Sequence, residues 1–219
     1  MPKGSQRKPL AQLPDGDPPR GNQIRLESLC RMVQGCHACP AMEGRRRVLS
    51  ARNGRAGVNI MFIAEAPGRN GADRTGVPLH GDPSGMFFEQ LLLEAGLARG
   101  EVFVTNSVLC NPRDENGNNR KPNPTETSNC SHHLAQQVEY VDPRVIVTLG
   151  AHPLEALNMI HPHQVSLRNV GQTAMWMMRL LVPMYHPSPR ATYHRSKEKM
   201  VEDFKRLKNL VQSLASDQH

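Results

Sequence analysis

Residues 59–97 read NIMFIAEAPGRNGADRTGVPLHGDPSGMFFEQLLLEAGL. The first six, NIMFIA, are a continuous apolar run of strand length, which suits a strand covered on both faces in a parallel sheet. A loop rich in glycine and proline follows. MFFEQLLLEAGL then reads as a helix, with Ser84 as the expected N-cap and Gly96 near its end. Strand, polar loop and helix in that order predict an α/β unit with its chemistry at the strand's carboxyl end.

The same alternation recurs outward from this stretch. VFVTN (102–106) predicts a strand, and PTETSNCSHHLAQQVEYV (124–141) a helix opened by Pro124 and Thr125. RVIVTLG (144–150) predicts a strand and HPLEALNMI a short helix, while MRLLVPMYHP (178–187) holds the last strand. The final helix is expected over about 194–214, with Met200, Phe204, Leu207, Val211 and Leu214 on one face. Upstream, residues 24–34 carry apolar side chains at helical spacing. Residues 1–22 hold five prolines and few apolar side chains, and are expected to be a disordered basic arm before a domain spanning 23–219. The reading is a single-domain α/β/α sandwich around a central four-stranded parallel sheet.

The 219 residues fit one such domain, and 38 % hydrophobic with 21 % charged residues excludes a coiled coil, a collagen-like chain and an acidic disordered chain. No apolar run reaches about 18 residues, so no membrane span is expected. MPKGSQRKPL has no apolar core of a secretory signal, so the chain is expected in the cytoplasm, as of a prokaryote, or an equivalent reducing compartment. Lys and Arg total 27 against 20 Asp and Glu, a net charge of +7. That excess favours a polyanionic partner, most often nucleic acid. Arg45, Arg46, Arg47, Arg52 and Arg55 crowd one glycine-containing loop suited to phosphates.

Five cysteines in a chain of this kind argue against a disulfide framework. Cys36, Cys39, Cys110 and Cys130 are spaced C-x2-C-x70-C-x19-C, with Cys30 the outlier. Zinc and an iron–sulfur cluster both take four thiolates. Structural zinc usually comes as two tight pairs, and only one is present, so the spread favours a [4Fe–4S] cluster. The glycine loop after the first strand allows close backbone approach to a ligand, yet it fits neither the Walker A nor the dinucleotide pattern. In HPSPR the proline after His186 fixes the turn that aims the imidazole.

FIAEAPG, GRNGADRTGVPLHGDPSG, VFVTNSVLCNP, GNNRKPNPTE followed by Cys130, DPRVIVTLG and YHPSPRAT stand in that order within residues 24–212. In them the chain resembles the uracil-DNA glycosylase superfamily, and within it the iron–sulfur branches called families 4 and 5. The first, third and fourth stretches are similar to family 4, and the second and last to family 5. The resemblance implies an enzyme of base excision repair that flips uracil out of single- or double-stranded DNA and hydrolyses its N-glycosidic bond. It also implies a monomer. The competing readings are a DNA-binding relative with little or no turnover and a zinc-stabilised hydrolase.

The resemblance further implies roles. Cys36, Cys39, Cys110 and Cys130 match cluster ligands. Asn106 matches the amide that reads the uracil edge, and Ala66, Pro67 and Gly68 the backbone around the base. Glu65 stands at the acidic position of family 4 and Asp82 at the catalytic aspartate of family 5. Asn119 matches the asparagine near the abasic sugar; a covalent branch has histidine there, so no stable covalent adduct is expected. His186 matches the histidine facing uracil O2. Ser188, Arg190, Arg120 and Lys121 fall where relatives contact DNA. Leu79 stands where the family usually carries an aromatic stacked on the base, so stacking is expected from Phe87, Phe88 or His80, with base selectivity open to more than uracil.

Overall fold

The computed structural model describes residues 20–216. The expected arm lies outside the described residues up to position 19. Its last three positions belong to a helix, α1 (Arg20–Gln34), which starts earlier than the apolar spacing alone indicated. The elements after it are β1 (Ile60–Ala64), α2 (Ala72–Thr75), α3 (Pro83–Glu94), β2 (Val102–Asn106), α4 (Pro124–Val141), β3 (Val145–Leu149), α5 (Ala151–Ile160), β4 (Ala174–Trp176), β5 (Arg179–Met184) and α6 (Lys197–Ser216).

The sheet has five strands in the order β2-β1-β3-β5-β4. The first four are mutually parallel, as expected, and β4 is added antiparallel at the edge beside β5. The sequence reading missed β4 because three residues carry no period. Every residue of β1, β2 and β3 is buried, the signature of strands covered on both faces.

Alternation along β1 divides the core. Met61 and Ile63 pack with Leu26, Leu29, Leu134 and Leu157 of α1, α4 and α5. Ile60, Phe62 and Ala64 pack on the other face with Phe88, Leu91, Phe204 and Leu207 of α3 and α6. These are the three layers of the sandwich. Phe62 meets Phe88 edge-on at 5.2 Å between ring centroids and stacks on Phe204 at 5.5 Å. Buried aromatic pairs of this geometry add about 0.5–1.5 kcal/mol each beyond area burial.

Two helix starts position the loops that matter. Asp82, not Ser84, caps α3: its Oδ1 accepts from Gly85 N–H at 2.9 Å, with Pro83 at the first helical position. Asn123 caps α4, accepting from Glu126 N–H at 2.8 Å, while the Glu126 carboxylate accepts from Asn123 N–H at 2.9 Å. A reciprocal cap of this kind satisfies two backbone donors that the helix leaves open.

Candidate active site

Parallel strands bring their carboxyl ends to one edge, and the loops beginning at Glu65, Ser107, Gly150 and Tyr185 gather there. The β1–β2 register sets Ala64 opposite Asn106. Asn106 is 2 % exposed, and its Nδ2 has no hydrogen-bond partner among the described residues. Leaving a buried donor unpaired costs on the order of 1–3 kcal/mol. Such a donor is tolerated where a ligand completes it.

The loop after β1 turns back on itself, with Gly68 C=O accepting from the N–H groups of Gly71 and Asp73 at 3.1 Å. This turn brings Gly68 and Gly71 against the second carboxylate oxygen of Asp82. A Cβ at Gly68 would lie 2.9 Å from Asp82 Oδ2, and one at Gly71 closer still. Only glycine leaves that oxygen its place. The same Gly68 Cβ position lies 3.8 Å from Asn119 Nδ2, so Asp82 and Asn119 face one small space. Asn119 Oδ1 accepts from Arg69 N–H at 3.0 Å.

Desolvation pushes the His186 imidazole down to about 4, while the charge of Asp82 pulls it the other way. The ring is therefore neutral at ordinary pH, able to donate from one nitrogen, and within electrostatic reach of Asp82. Glu65 has other neighbours. Burial raises its carboxyl, Lys121 lowers it and Glu155 raises it again. Lys121 itself is held by both oxygens of Glu155, at 3.2 and 3.0 Å. The structure thus groups Asp82 with Asn119 and His186, and Glu65 with Lys121 and Glu155.

Several expected contacts lie elsewhere. Phe88 is buried within the Phe62–Phe204 cluster and cannot stack on a base without unpacking the core. Leu79, at φ +48°, also packs into that core layer. Of the stacking candidates, His80 is exposed and Phe87 half-buried, with Lys197 Nζ 5.8 Å from the Phe87 ring centroid. Arg120 spends its fork on Glu126 at 2.7 and 2.5 Å, with its Nε on Arg113 C=O and Nη1 also on Lys121 C=O. Little of it is left for a phosphate. Ser188 caps the short turn Pro189–Tyr193, and Arg190 is exposed.

Two groups escaped the sequence reading. Asn111, buried beside Cys110, donates to Pro67 C=O and to Asn119 Oδ1. His152 links Ser107 Oγ at 3.0 Å to Thr127 Oγ1 at 3.1 Å, and Ser107 donates on to Glu65 C=O. Asn111 stands inside the VFVTNSVLCNP stretch and His152 in the first turn of α5, and neither position carries a sequence signal of its own.

The cysteines form a second locus. Cys36, Cys39, Cys110 and Cys130 line one cavity with Ala38, Met42, Arg47 and Asn129, and all are free thiols. Cys30 sits apart, beside Gln23, Leu26 and Ser50. Arg47 binds Cys36 C=O from Nε and Nη2 at 3.1 and 2.7 Å, and Asn129 Nδ2 reaches Ala38 C=O at 2.8 Å and Cys39 Sγ at 3.5 Å. Burial pushes the Cys110 thiol up to about 11 and Cys130 to about 12. Among the described residues, no group of three or more His, Cys, Asp and Glu side chains is arranged as a single-ion metal site.

A doubly covered parallel sheet with a desolvated histidine, a capping aspartate and an unpartnered amide at its strand ends defines an α/β protein with a polar site at the carboxyl edge of its sheet. The sequence model of the uracil DNA glycosylase superfamily matches residues 51–208, and the chain belongs to that superfamily. A type-4 uracil-DNA glycosylase of Thermotoga maritima is 33 % identical over 85 % of this chain and 94 % of its own length. One from Sulfurisphaera tokodaii is 33 % identical over 85 % of this chain and 84 % of its own. A type-5 uracil-DNA glycosylase of Thermus thermophilus is 30 % identical over 60 % of this chain and 71 % of its own length. Similarity to both types agrees with the mixed motifs. No helix among the described residues is long and apolar enough to cross a membrane.

Proposed function

We propose that this chain removes uracil from DNA by hydrolysis of the N-glycosidic bond, leaving an abasic site for base excision repair. The buried Asn106 amide carries the reading. Its unpartnered Nδ2 can donate to uracil O4 while its oxygen accepts from N3–H. Cytosine presents the opposite pattern at those atoms and would leave both amide groups unpaired. The names borne by the relatives support the same substrate.

The target base lies inside the duplex stack, so the nucleotide must be flipped out at a cost of a few kcal/mol. The exposed basic residues, Arg190 among them, hold phosphates. Bond breaking places negative charge on the departing uracil and positive charge on the sugar. A neutral His186 donates toward the base oxygen; one preorganised donor of this kind is worth about 3–4 kcal/mol. The Asp82 carboxylate beside it offsets the sugar's charge and orients or deprotonates the water. Asn119 holds the sugar side of the same space. Glu65 sets the local field with Lys121.

The four cysteines fit a [4Fe–4S] cluster. They surround one cavity as free thiols, the four-sulfur donor set that such a cluster takes. When bound, the cluster supplies a structural tie between the segment after α1, the loop after β2 and α4. We further read the chain as a cytoplasmic monomer.

The test is a panel of single- and double-stranded oligonucleotides carrying uracil, hypoxanthine or xanthine, with free base measured by mass spectrometry. Uracil release is expected. Tight binding of uracil-containing DNA with no base released would make this a DNA-binding relative instead.

A further inference from the structure

We infer that Asn111 is a positioning residue for the excision reaction, fixing Asn119 as a donor toward the reacting space. The inference rests on the uracil-excising reading above and adds to it a network that reaches from α2 to the cleft. Asn111 is 1 % exposed. Its Oδ1 accepts from Arg113 Nε at 2.6 Å, and its Nδ2 donates to Pro67 C=O at 2.6 Å and to Asn119 Oδ1 at 2.9 Å. Arg113 Nη2 in turn donates to Asp73 Oδ2 at 2.6 Å.

The direction of each amide follows from its partners. Arg69 N–H and Arg113 Nε–H can only donate, and Pro67 C=O can only accept. So Asn111 must present oxygen to Arg113 and nitrogen to Pro67, and Asn119 must turn its oxygen inward to Arg69 and Asn111. With that oxygen engaged twice, Asn119 Nδ2 is left facing the space at Gly68, beside Asp82 Oδ2. The amide therefore meets substrate, or the Asp82 carboxylate, as a donor. Asn111 and Arg113 also hold the loop bearing Asp82 at two points, Pro67 and Asp73. The network thus keeps in register the two loops that supply Asp82 and Asn119.

Asn111→Asp keeps the volume and the partner Arg113, but a carboxylate has no proton for Pro67 C=O or Asn119 Oδ1. Misplacing a reacting group by about 1 Å can cost about 100-fold. In single-turnover excision of uracil, Asn111→Asp is expected to lower the maximal rate about 10- to 100-fold. The DNA concentration for half-maximal rate should stay unchanged. In an Asn119→Ala background, Asn111→Asp should cost almost nothing further. Arg113→Lys, which keeps charge beside Asp73 but cannot bridge to Asn111, should show a smaller loss and the same non-additivity, and carries the test if Asn111→Asp does not fold. Equal losses with and without Asn119 would mean that Asn111 acts only on the fold, and would overturn the inference. So would a normal rate for both variants while the wild-type chain excises uracil. A wild-type chain that releases no uracil would instead overturn the reading of function, and this inference with it.

Discussion

In the strand-end cleft the protein holds its own polar groups. Asp82 is tied by the cap of α3, and Asn119 by Arg69 and Asn111. The cysteine cavity is built otherwise. Its four thiols come from three remote segments, and Asn129 Nδ2 reaches the Cys39 sulfur at 3.5 Å. The cleft is organised before any ligand arrives, which is what stabilisation of developing charge requires. The cavity, on the proposal that it takes a cluster, would depend on that group to bridge its walls. Perturbing the cleft should therefore cost rate at constant stability, and perturbing the cavity should cost stability.

The largest effect is expected in the cavity. With the proposed cluster in the cavity, Cys36→Ala or Cys130→Ala should abolish the visible absorbance and lower the melting temperature steeply, because metal binding and folding are coupled. Cys30→Ala, outside the cavity, should do neither; visible absorbance near 400 nm and iron analysis decide it. Stoichiometric zinc without iron in freshly purified protein would break this half of the comparison.

Next comes His186→Ala, with a loss of about 100- to 1,000-fold in the single-turnover rate, the usual cost of one charge-stabilising donor. Its melting temperature and DNA affinity should hold. A comparable loss of stability would place His186 on the structural side.

Phe88→Leu should behave like a core change despite its place in the motif helix. A cost of about 1–2 kcal/mol is expected, with excision parameters unchanged. A raised half-saturating DNA concentration at constant stability would restore Phe88 to the base.

The smallest effect is one of pH. Burial holds His186 and His133 at about 4, below the usual ~6.5. The unfolded chain then binds more protons across that window, so stability is complete above about 6.5 and is lost as pH falls toward 4. Among the described residues, neither ring nitrogen of His133 has a hydrogen-bond partner. Thermal melts of His133→Phe should show a flatter acid limb than wild type, and an unchanged limb would contradict the assignment.

The parallel strands were legible because their apolar runs are continuous, and α4 because Pro124 marks its start. Strand β4 was not, since three residues carry no period. Asp82 was legible as a loop carboxylate, but its role as the cap of α3 was hidden by Ser84, an equally good capping residue two positions on. Phe88 was misplaced because a motif position says nothing of which helix face meets the core. Asn111 and His152 were invisible for a related reason: their partners lie at Pro67, Asn119 and Thr127, and only the fold brings them together.

The central claim is that the Asp82–His186 side of the cleft, rather than Glu65, carries the chemistry. Single-turnover uracil release by Asp82→Asn and Glu65→Gln, with DNA binding measured alongside, tests it most directly. Asp82→Asn is expected to be far slower than Glu65→Gln, with both binding DNA like wild type. A dead Glu65→Gln beside a near-normal Asp82→Asn would move the water to Glu65 and contradict the account.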